Sequence, residues 1–530
     1  MRGAANAALE DIATLTGLLA FHAHSRGERI AIEDGRECLS FAQFHVRTEA
    51  LAASLVALGL RRSDRVAFLG RNSAAYFELL FAAARMGGVV VPIGVRLTPS
   101  EIARILADAG PAVMFVDAEL RDLAAGCQID LKELASEGDP FARWRNGDAP
   151  VHYEPEPSAA VLQIYTSGTT GDPKGVMLSH ANLLQQRVSD MRGGVPWGRW
   201  LDDDVSLVSM PISHVSGSGW GLYGFFHGAR TVIVRDFDAD RILDLIADAR
   251  ITKIFVVPAA LQQMVEAQAR APRTLGLRHI LYGGAPISRP LLDQVRVHFA
   301  RADLVQLYGM TESSGSAVAL FPDDHNADDE RLLLAAGRAL PGVRIAVADV
   351  DTGRILGAGS GEVLIQGPGV MLGYWGKPES TLEAIDKAGW LHTGDVGELA
   401  ADGLLTIRDR LKDLIITGGE NVYPGEVEGV LCLHPGVAEV AVVGLPDPVW
   451  GEAVTAFVVR RAGAALDAED LRAWSRDRIA AFKSPRRVHF VSALPRNASG
   501  KILRKALRQN EHAEAASMPA YREDGSGGIG

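Results

Sequence analysis

Between residues 66 and 116 the chain alternates two patterns that belong to different elements. Apolar runs at 66–69, 89–91 and 112–116 are short and almost wholly apolar, and read as buried strands. The stretches between them, 73–86 and 101–109, have the length and spacing of helices. Strands joined through helices predict a parallel sheet covered on both faces. Thr98-Pro99-Ser100-Glu101 marks one helix start. A threonine N-cap, a proline at the first helical position and a glutamate two residues later each satisfy or avoid an orphan amide. The alternation returns with strands expected at 205–210, 231–234, 253–257, 279–282 and 304–307, which predicts a second doubly wound layer. From 337 to 407 the apolar segments become short and glycine-punctuated (344–347, 361–365, 404–407), as in a small β subdomain.

The charged run Arg408-Asp409-Arg410-Leu411-Lys412-Asp413 then separates this pattern from a shorter one, with strands expected at 437–443, 454–459 and 488–491 and a helix at 467–479. The expected fold class is therefore α/β: a large N-terminal domain over 1–409, made of two doubly wound α/β subdomains plus a small β subdomain, followed by a small α+β C-terminal domain over 410–507. Residues 508–530 form a tail, expected to be disordered from Glu511 onward. At 530 residues, several domains are the natural partition.

A formal charge of −11 repels phosphate backbones, so nucleic acid is excluded as a partner held by general charge, and an anionic substrate needs local donors. Cys38, Cys127 and Cys432 are odd in number and far apart, which fits neither a disulfide framework nor zinc ligation and suits a reducing compartment. The most apolar stretch, 79–95, is broken by Arg85, Gly87, Gly88 and Pro92, so no integral membrane span is expected. Glu10 and Asp11 interrupt the first apolar segment, against an export signal, and a cytoplasmic location follows.

The densest chemistry lies in Tyr165-Thr166-Ser167-Gly168-Thr169-Thr170-Gly171-Asp172-Pro173-Lys174-Gly175. Glycines admit phosphate oxygens close to the backbone, hydroxyls and amides donate to them, and the lysine adds a point charge. The spacing is not that of a P-loop, because Pro173 stands where that motif needs glycine and Gly175 follows Lys174. Gly219-Trp220-Gly221-Leu222-Tyr223-Gly224 matches a dinucleotide pattern literally, but the strand expected shortly afterwards leaves no room for the helix that would hold a pyrophosphate. Close helix packing or an open pocket explains these glycines better.

Four further motifs follow in order. They are Leu307-Tyr308-Gly309-Met310-Thr311-Glu312, Gly389-Trp390-Leu391-His392-Thr393-Gly394-Asp395, Arg410-Leu411-Lys412-Asp413 continuing to Gly418-Gly419-Glu420-Asn421, and Pro495-Arg496-Asn497-Ala498-Ser499-Gly500-Lys501. Together with the glycine-rich loop this set resembles the AMP-forming acyl-CoA synthetases of the acyl-adenylate-forming superfamily, the fatty and aryl acid branch, over about residues 15–507. The resemblance implies two steps: a carboxylate attacks the α-phosphate of ATP to give an acyl-adenylate, and a thiol then displaces AMP. It implies that the second domain is a mobile lid, with Lys412 as its hinge.

By the same resemblance, Thr166, Ser167, Gly168, Thr169, Thr170 and Lys174 cradle the phosphates, and Glu312, with Thr166, holds Mg2+. Thr311 contacts the α-phosphate; Tyr308 and Gly309, with Gly283, Gly284 and Ala285, border the adenine and the acyl chain. Asp395 accepts the ribose hydroxyls, as an acceptor-only carboxylate can, and Arg410 reaches the same sugar. Lys501 bridges the attacking carboxylate and phosphate oxygens, His214 lines the acyl pocket near that carboxylate, and Gly419 approaches the thiol donor.

The expected partners are a small-molecule carboxylic acid, ATP and CoA, and the expected activity is an acid–CoA ligase releasing AMP and pyrophosphate. A stand-alone adenylation enzyme loading a carrier protein in trans is the alternative, and a non-catalytic nucleotide- and acyl-binding protein the remote one. The uncharged stretch 215–224 disfavours amino acids and dicarboxylates. The acidic segment with Asp323, Asp324, Asp328, Asp329 and Glu330 lacks calcium-loop spacing and reads as a solvated loop. Oligomeric state has no signature here, and a homodimer stays open.

Overall fold

The structure, a computed structural model, describes residues 9–145, 147, 151–167, 173–327, 329–333, 335–496 and 502–515. The expected alternation is realised in two large sheets. The first has seven strands in the order Gly373–Tyr374, Pro173–Ser179, Ala160–Ser167, Val89–Ile93, Arg65–Leu69, Val113–Asp117, Leu131–Leu134. Its central strands run parallel, with Arg65 opposite Val89 and Val66 opposite Val113, and are buried along their whole length, as cover on both faces requires. Toward one edge Ala160–Ser167 and Pro173–Ser179 form an antiparallel pair, and the glycine-rich segment joins these two strands. The helix Pro99–Ala109 begins as its sequence demands: Thr98 accepts from the Glu101 amide, and Glu101 accepts from the Thr98 amide at 2.8 Å.

The second sheet has nine strands, parallel from Asp303–Tyr308 through His279–Gly283, Lys253–Val256, Val205–Val208 and Arg230–Ile233 to Ile30–Glu33, with antiparallel strands at both edges. Its apolar core is built from Leu207, Ile254, Ile280 and Val295 among others. Two helices matter for the site. Helix α1 (His180–Arg192) starts at Ser179 in a capping box with Asn182. Helix α2 (Val215–Phe226) has His214 as its N-cap residue and contains the whole glycine pattern 219–224. Close packing accounts for two of its glycines, since a Cβ at Gly221 would strike the Phe77 ring and one at Gly224 would lie 2.8 Å from Thr231 Oγ1.

A third, five-stranded sheet comprises Ile355–Leu356, Arg344–Ala348, Gly359–Gln366, Leu391–Leu399 and Leu405–Arg410. By internal packing the chain divides into two units, the first ending at Thr393 and including Glu398–Thr406, the second formed by Gly394–Gly397 and the chain from Ile407 onward. The second unit has its own sheet, in the order Glu420–Val422, Ile415–Thr417, Gly451–Arg460, Val437–Asp447, with Arg487–Phe490 parallel to Gly451–Arg460. Helices Pro424–Cys432 and Ala468–Arg476 supply Val427, Leu431 and Leu471 to its core.

Two expectations are corrected. A helix, Arg504–Ala515, runs through Glu511, where disorder was expected to begin. The acidic segment is not simply a solvated loop: Pro322–Asn326 is a short helix in which Asp324 accepts from the Phe321 amide and pairs with Arg338 at 3.2 Å. His325, 1% exposed, donates from Nδ1 to the Phe321 carbonyl, which leaves Nε2 to accept from the Tyr282 hydroxyl at 2.8 Å. A proline-led turn needs capping acceptors, and the carboxylates supply them. Among the described residues no helix is long and apolar enough to cross a membrane. The three cysteines are free thiols.

Candidate active site

In the first unit, three segments far apart in sequence converge on Glu312. Strand Asp303–Tyr308 leads through Gly309, where a Cβ would approach Gly315 O to 2.7 Å, into the single helical turn Thr311–Ser313. That turn is tied down from outside: Met371 N–H donates to Glu312 O at 2.9 Å and Ser314 Oγ to Gly369 O at 2.8 Å. Asn182 of α1 donates to the carbonyls of Pro368 and Val370, fixing the same segment from the other side. The chain then runs along the hairpin strand, with Gly373 opposite Met177 and Tyr374 opposite Val176, so the Tyr374 hydroxyl donates to Glu312 Oε1 at 3.0 Å. The Lys174 ammonium lies 4.8 Å from the centre of the same ring. Burial, and next the Glu312 carboxylate, raise the Tyr374 hydroxyl far above its ordinary range, so it remains a donor. Glu312, at 6% exposure, is held as an oriented carboxylate.

Thr166 stands opposite Lys174 and Ser167 opposite Pro173 at the end of the hairpin. Gly168, Thr169 and Thr170 lie outside the described residues. Tyr165 braces the base of the hairpin instead of facing a ligand: its hydroxyl donates to Asp108 Oδ2 at 2.5 Å and accepts from Gln163. Nearby Trp375 donates to Asp108 O at 3.1 Å and lies under the Arg65 guanidinium, 3.2 Å from the ring centre.

The carboxyl ends of two adjacent parallel strands carry the adenine-site candidates. Gly283 pairs with Leu307, and a Cβ there would strike the Leu307 carbonyl. Gly284 adopts φ +80°, Ala285 is exposed, and Tyr308 is partly exposed beside them. Open α/β sheets bind ligands at such ends. Thr311 and His214 are both partly exposed, His214 at the N-terminus of α2.

In the second unit, Arg410 Nε lies 3.2 Å from Asp395 Oδ1. Lys412 occupies the helical turn Leu411–Asp413, and burial, then Arg410, lower its ammonium pKa. Asp413 pairs with Arg508 at 3.1 Å, and Glu428 with Arg504 at 2.7 Å. Gly418 and Gly419 take φ +62° and +85°, and a Cβ at Gly418 would meet the Trp450 indole at 2.8 Å. Lys501 lies outside the described residues.

A profile described as "AMP-binding enzyme" matches residues 19–375, and one described as "AMP-binding enzyme C-terminal domain" matches residues 426–501. The chain belongs to the AMP-binding enzyme family. It is an AMP-forming acid–thiol ligase of the acyl-adenylate-forming superfamily, with that superfamily's fold. Similar proteins include one named fatty acid–[acyl-carrier-protein] ligase ScoC from Streptomyces coeruleorubidus, 40% identical over 95% of this chain and 97% of its own length. A 2-succinylbenzoate–CoA ligase from a Geobacillus strain is 34% identical over 91% of this chain and 94% of its own. Among solved structures, ATP-bound MatB from Rhodopseudomonas palustris superposes with a TM-score of 0.81 at 33% identity, covering 93% of this chain and 98% of that one.

Tyr374 was missed by the sequence reading. Nothing in its local sequence distinguishes it, because its role comes from strand pairing with a hairpin two hundred residues earlier.

Proposed function

We propose that this enzyme activates a carboxylic acid with ATP and joins it to the thiol of coenzyme A. The observation that carries the nucleotide half is the buried Glu312 carboxylate, oriented by Tyr374 beside Lys174 at the mouth of a glycine- and hydroxyl-rich hairpin. The thiol half rests on the relatives. Those named feruloyl-CoA synthase and 2-succinylbenzoate–CoA ligase are 34–37% identical over nine-tenths of the chain. The 40% identity to a carrier-protein ligase favours a second reading, transfer to a carrier-protein thiol. Supplying the acyl-adenylate with either free CoA or a phosphopantetheinyl carrier protein separates them: AMP release with CoA alone is the expected result.

In this reading Thr166, Ser167, Gly168, Thr169, Thr170 and Lys174 hold the phosphates, and Tyr308, Gly309, Gly283, Gly284 and Ala285 form the shelf for adenine. Asp395 and Arg410 take the ribose. An acid oxygen attacks the α-phosphorus, a P–O bond forms, and pyrophosphate leaves with the bridging electron pair. Thr311 donates to the α-phosphate and Lys501 steadies both attacking and departing oxygens, so the charge of the transition state meets donors already in place. His214 borders the acid carboxylate. Then a thiolate attacks the acyl carbon and AMP leaves as the anion, with Gly419 passing the thiol donor and Lys412 rotating the lid between steps.

Glu312 with the Thr166 hydroxyl suits magnesium. They offer hard oxygen donors without a full protein cage, which suits an ion that keeps water and phosphate ligands. Bound with the nucleotide, the ion would neutralise phosphate charge. A cytoplasmic setting supplies ATP and CoA together.

A further inference from the structure

One carboxylate reaches both strands of the glycine-rich hairpin. Asp108, in the last turn of helix Pro99–Ala109, accepts from the Tyr165 hydroxyl through Oδ2 at 2.5 Å, and its Oδ1 pairs with the Lys377 ammonium at 3.3 Å. Lys377 in turn donates to the Pro173 carbonyl at 3.0 Å. Tyr165 immediately precedes Thr166 on the incoming strand, and Pro173 immediately precedes Lys174 on the outgoing one. Thr166 and Lys174 stand opposite each other, with the Tyr165–Gly175 pair on one side of them and the Ser167–Pro173 pair on the other. Asp108 and Lys377 therefore brace the hairpin diagonally across the two residues proposed to hold phosphate.

Backbone pairing alone does not hold this end of the hairpin. Pro173 has no N–H to give to the opposite strand, so the ladder weakens where Lys174 begins. The outer strand helps only as far as Trp375, whose amide donates to Gly175 O at 2.8 Å. Past that point the chain turns into helix Pro378–Ala384 with Lys377 as its N-cap residue, and the Lys377 side chain takes over where backbone pairing stops. Both partners of the ion pair are themselves anchored. The Thr381 amide and hydroxyl donate to Lys377 O at 3.0 and 2.9 Å, and the Trp375 indole donates to Asp108 O at 3.1 Å. With side chains 27% and 25% exposed, the Lys377–Asp108 pair is too wet to stabilise the fold strongly, so its loss should move the hairpin end without unfolding the unit.

We propose that Lys377 is a positioning residue for ATP: together with Asp108 it holds Pro173, and through it Lys174 and Thr166, at the spacing that the β- and γ-phosphates need. The inference rests on the reading that Thr166 and Lys174 hold those phosphates. Lys377 touches no substrate itself. Its two partners, a carbonyl and a carboxylate, belong to the protein, and its effect passes through Lys174. Donors fixed before the nucleotide arrives need no reordering when it binds, which is what such a brace contributes. AMP, which lacks the two outer phosphates, should be indifferent to it.

The test is calorimetric binding of ATP with magnesium, and of AMP, to the full chain, with neither acid nor thiol present. Lys377→Met should weaken ATP about tenfold, the low end of the range for a lost charged hydrogen bond, and leave AMP within about twofold. Lys377→Arg, which keeps a cationic donor, should recover most of the loss. Asp108→Asn, which keeps an acceptor for Tyr165 but not the ion pair, should resemble Lys377→Met and serves in its place if that variant does not fold. Lys174→Met tests the underlying reading separately. Unchanged ATP affinity in Lys174→Met ends the phosphate reading of the hairpin and the inference with it. Weakened ATP in Lys174→Met beside unchanged ATP in Lys377→Met and Asp108→Asn overturns the inference alone. Equal weakening of ATP and AMP in Lys377→Met would show a general structural role and overturns it too. In the Lys174→Met background, Lys377→Met should have little further effect; full additivity would mean that Lys377 does not act through Lys174.

Discussion

Tyr374→Phe isolates one hydroxyl in the proposed nucleotide site. The ring stays against the hairpin, so the cation–π contact with Lys174 at 4.8 Å and the strand pairing with Val176 are retained. What disappears is the 3.0 Å hydrogen bond to Glu312 Oε1. A hydrogen bond to a charged group contributes about 1.5–3 kcal/mol, more when the carboxylate is buried as Glu312 is. If that energy orients the carboxylate for magnesium in the transition state, the rate of adenylation falls about 10- to 100-fold, since about 1.4 kcal/mol is a factor of ten. Part of the loss should be recovered at high magnesium concentration, because a less well oriented ligand binds the ion more weakly. The assay is acid-dependent pyrophosphate release across a magnesium titration, with urea unfolding as a control for stability. A folded Tyr374→Phe enzyme with the wild-type rate and magnesium dependence would refute the assignment of Glu312 as an oriented ligand.

Lys501→Ala should abolish pyrophosphate release while thioester formation from supplied acyl-adenylate continues, and equal loss of both half-reactions would remove the bridging role. Lys412→Pro, with φ fixed near −65°, should slow thioester formation selectively in single-turnover assays; an unchanged rate would place the hinge elsewhere. Gly221→Ala should destabilise the first unit by about 1–3 kcal/mol in urea, because its methyl has nowhere to go but the buried Phe77 ring. His325 titrates at about 4 in the fold, lowered by burial, against 6.5 when unfolded, so the unfolded chain binds the extra proton and stability is lost as pH falls below 6.5. That single site contributes a loss of about 2 kcal/mol between pH 7 and pH 5, so in urea titrations at the two values His325→Gln should lose about that much less than the wild type.

The strand–helix alternation was legible because buried parallel strands and amphipathic helices leave different local patterns, and the capping box at Thr98 fixed one boundary almost to the residue. The glycine pattern 219–224 was also rightly refused as a dinucleotide loop, since Gly221 and Gly224 serve close packing. What could not be read were pairings across long sequence distances. Tyr374 acquires its partner only when strand Gly373–Tyr374 docks on Pro173–Ser179, and Arg187 reaches the Gly219 carbonyl only because α1 lies against α2. The acidic segment misled for a local reason: its carboxylates looked solvated, yet Asp324 caps a turn that buries His325.

The central claim is that the acid is activated as an adenylate before any thiol is involved. Exchange of labelled pyrophosphate into ATP, with the acid present and every thiol omitted, tests it directly. Acid-dependent exchange is expected, with AMP and no ADP appearing once CoA is added; exchange that is absent without thiol, or turnover that yields ADP and phosphate, would contradict activation as an adenylate.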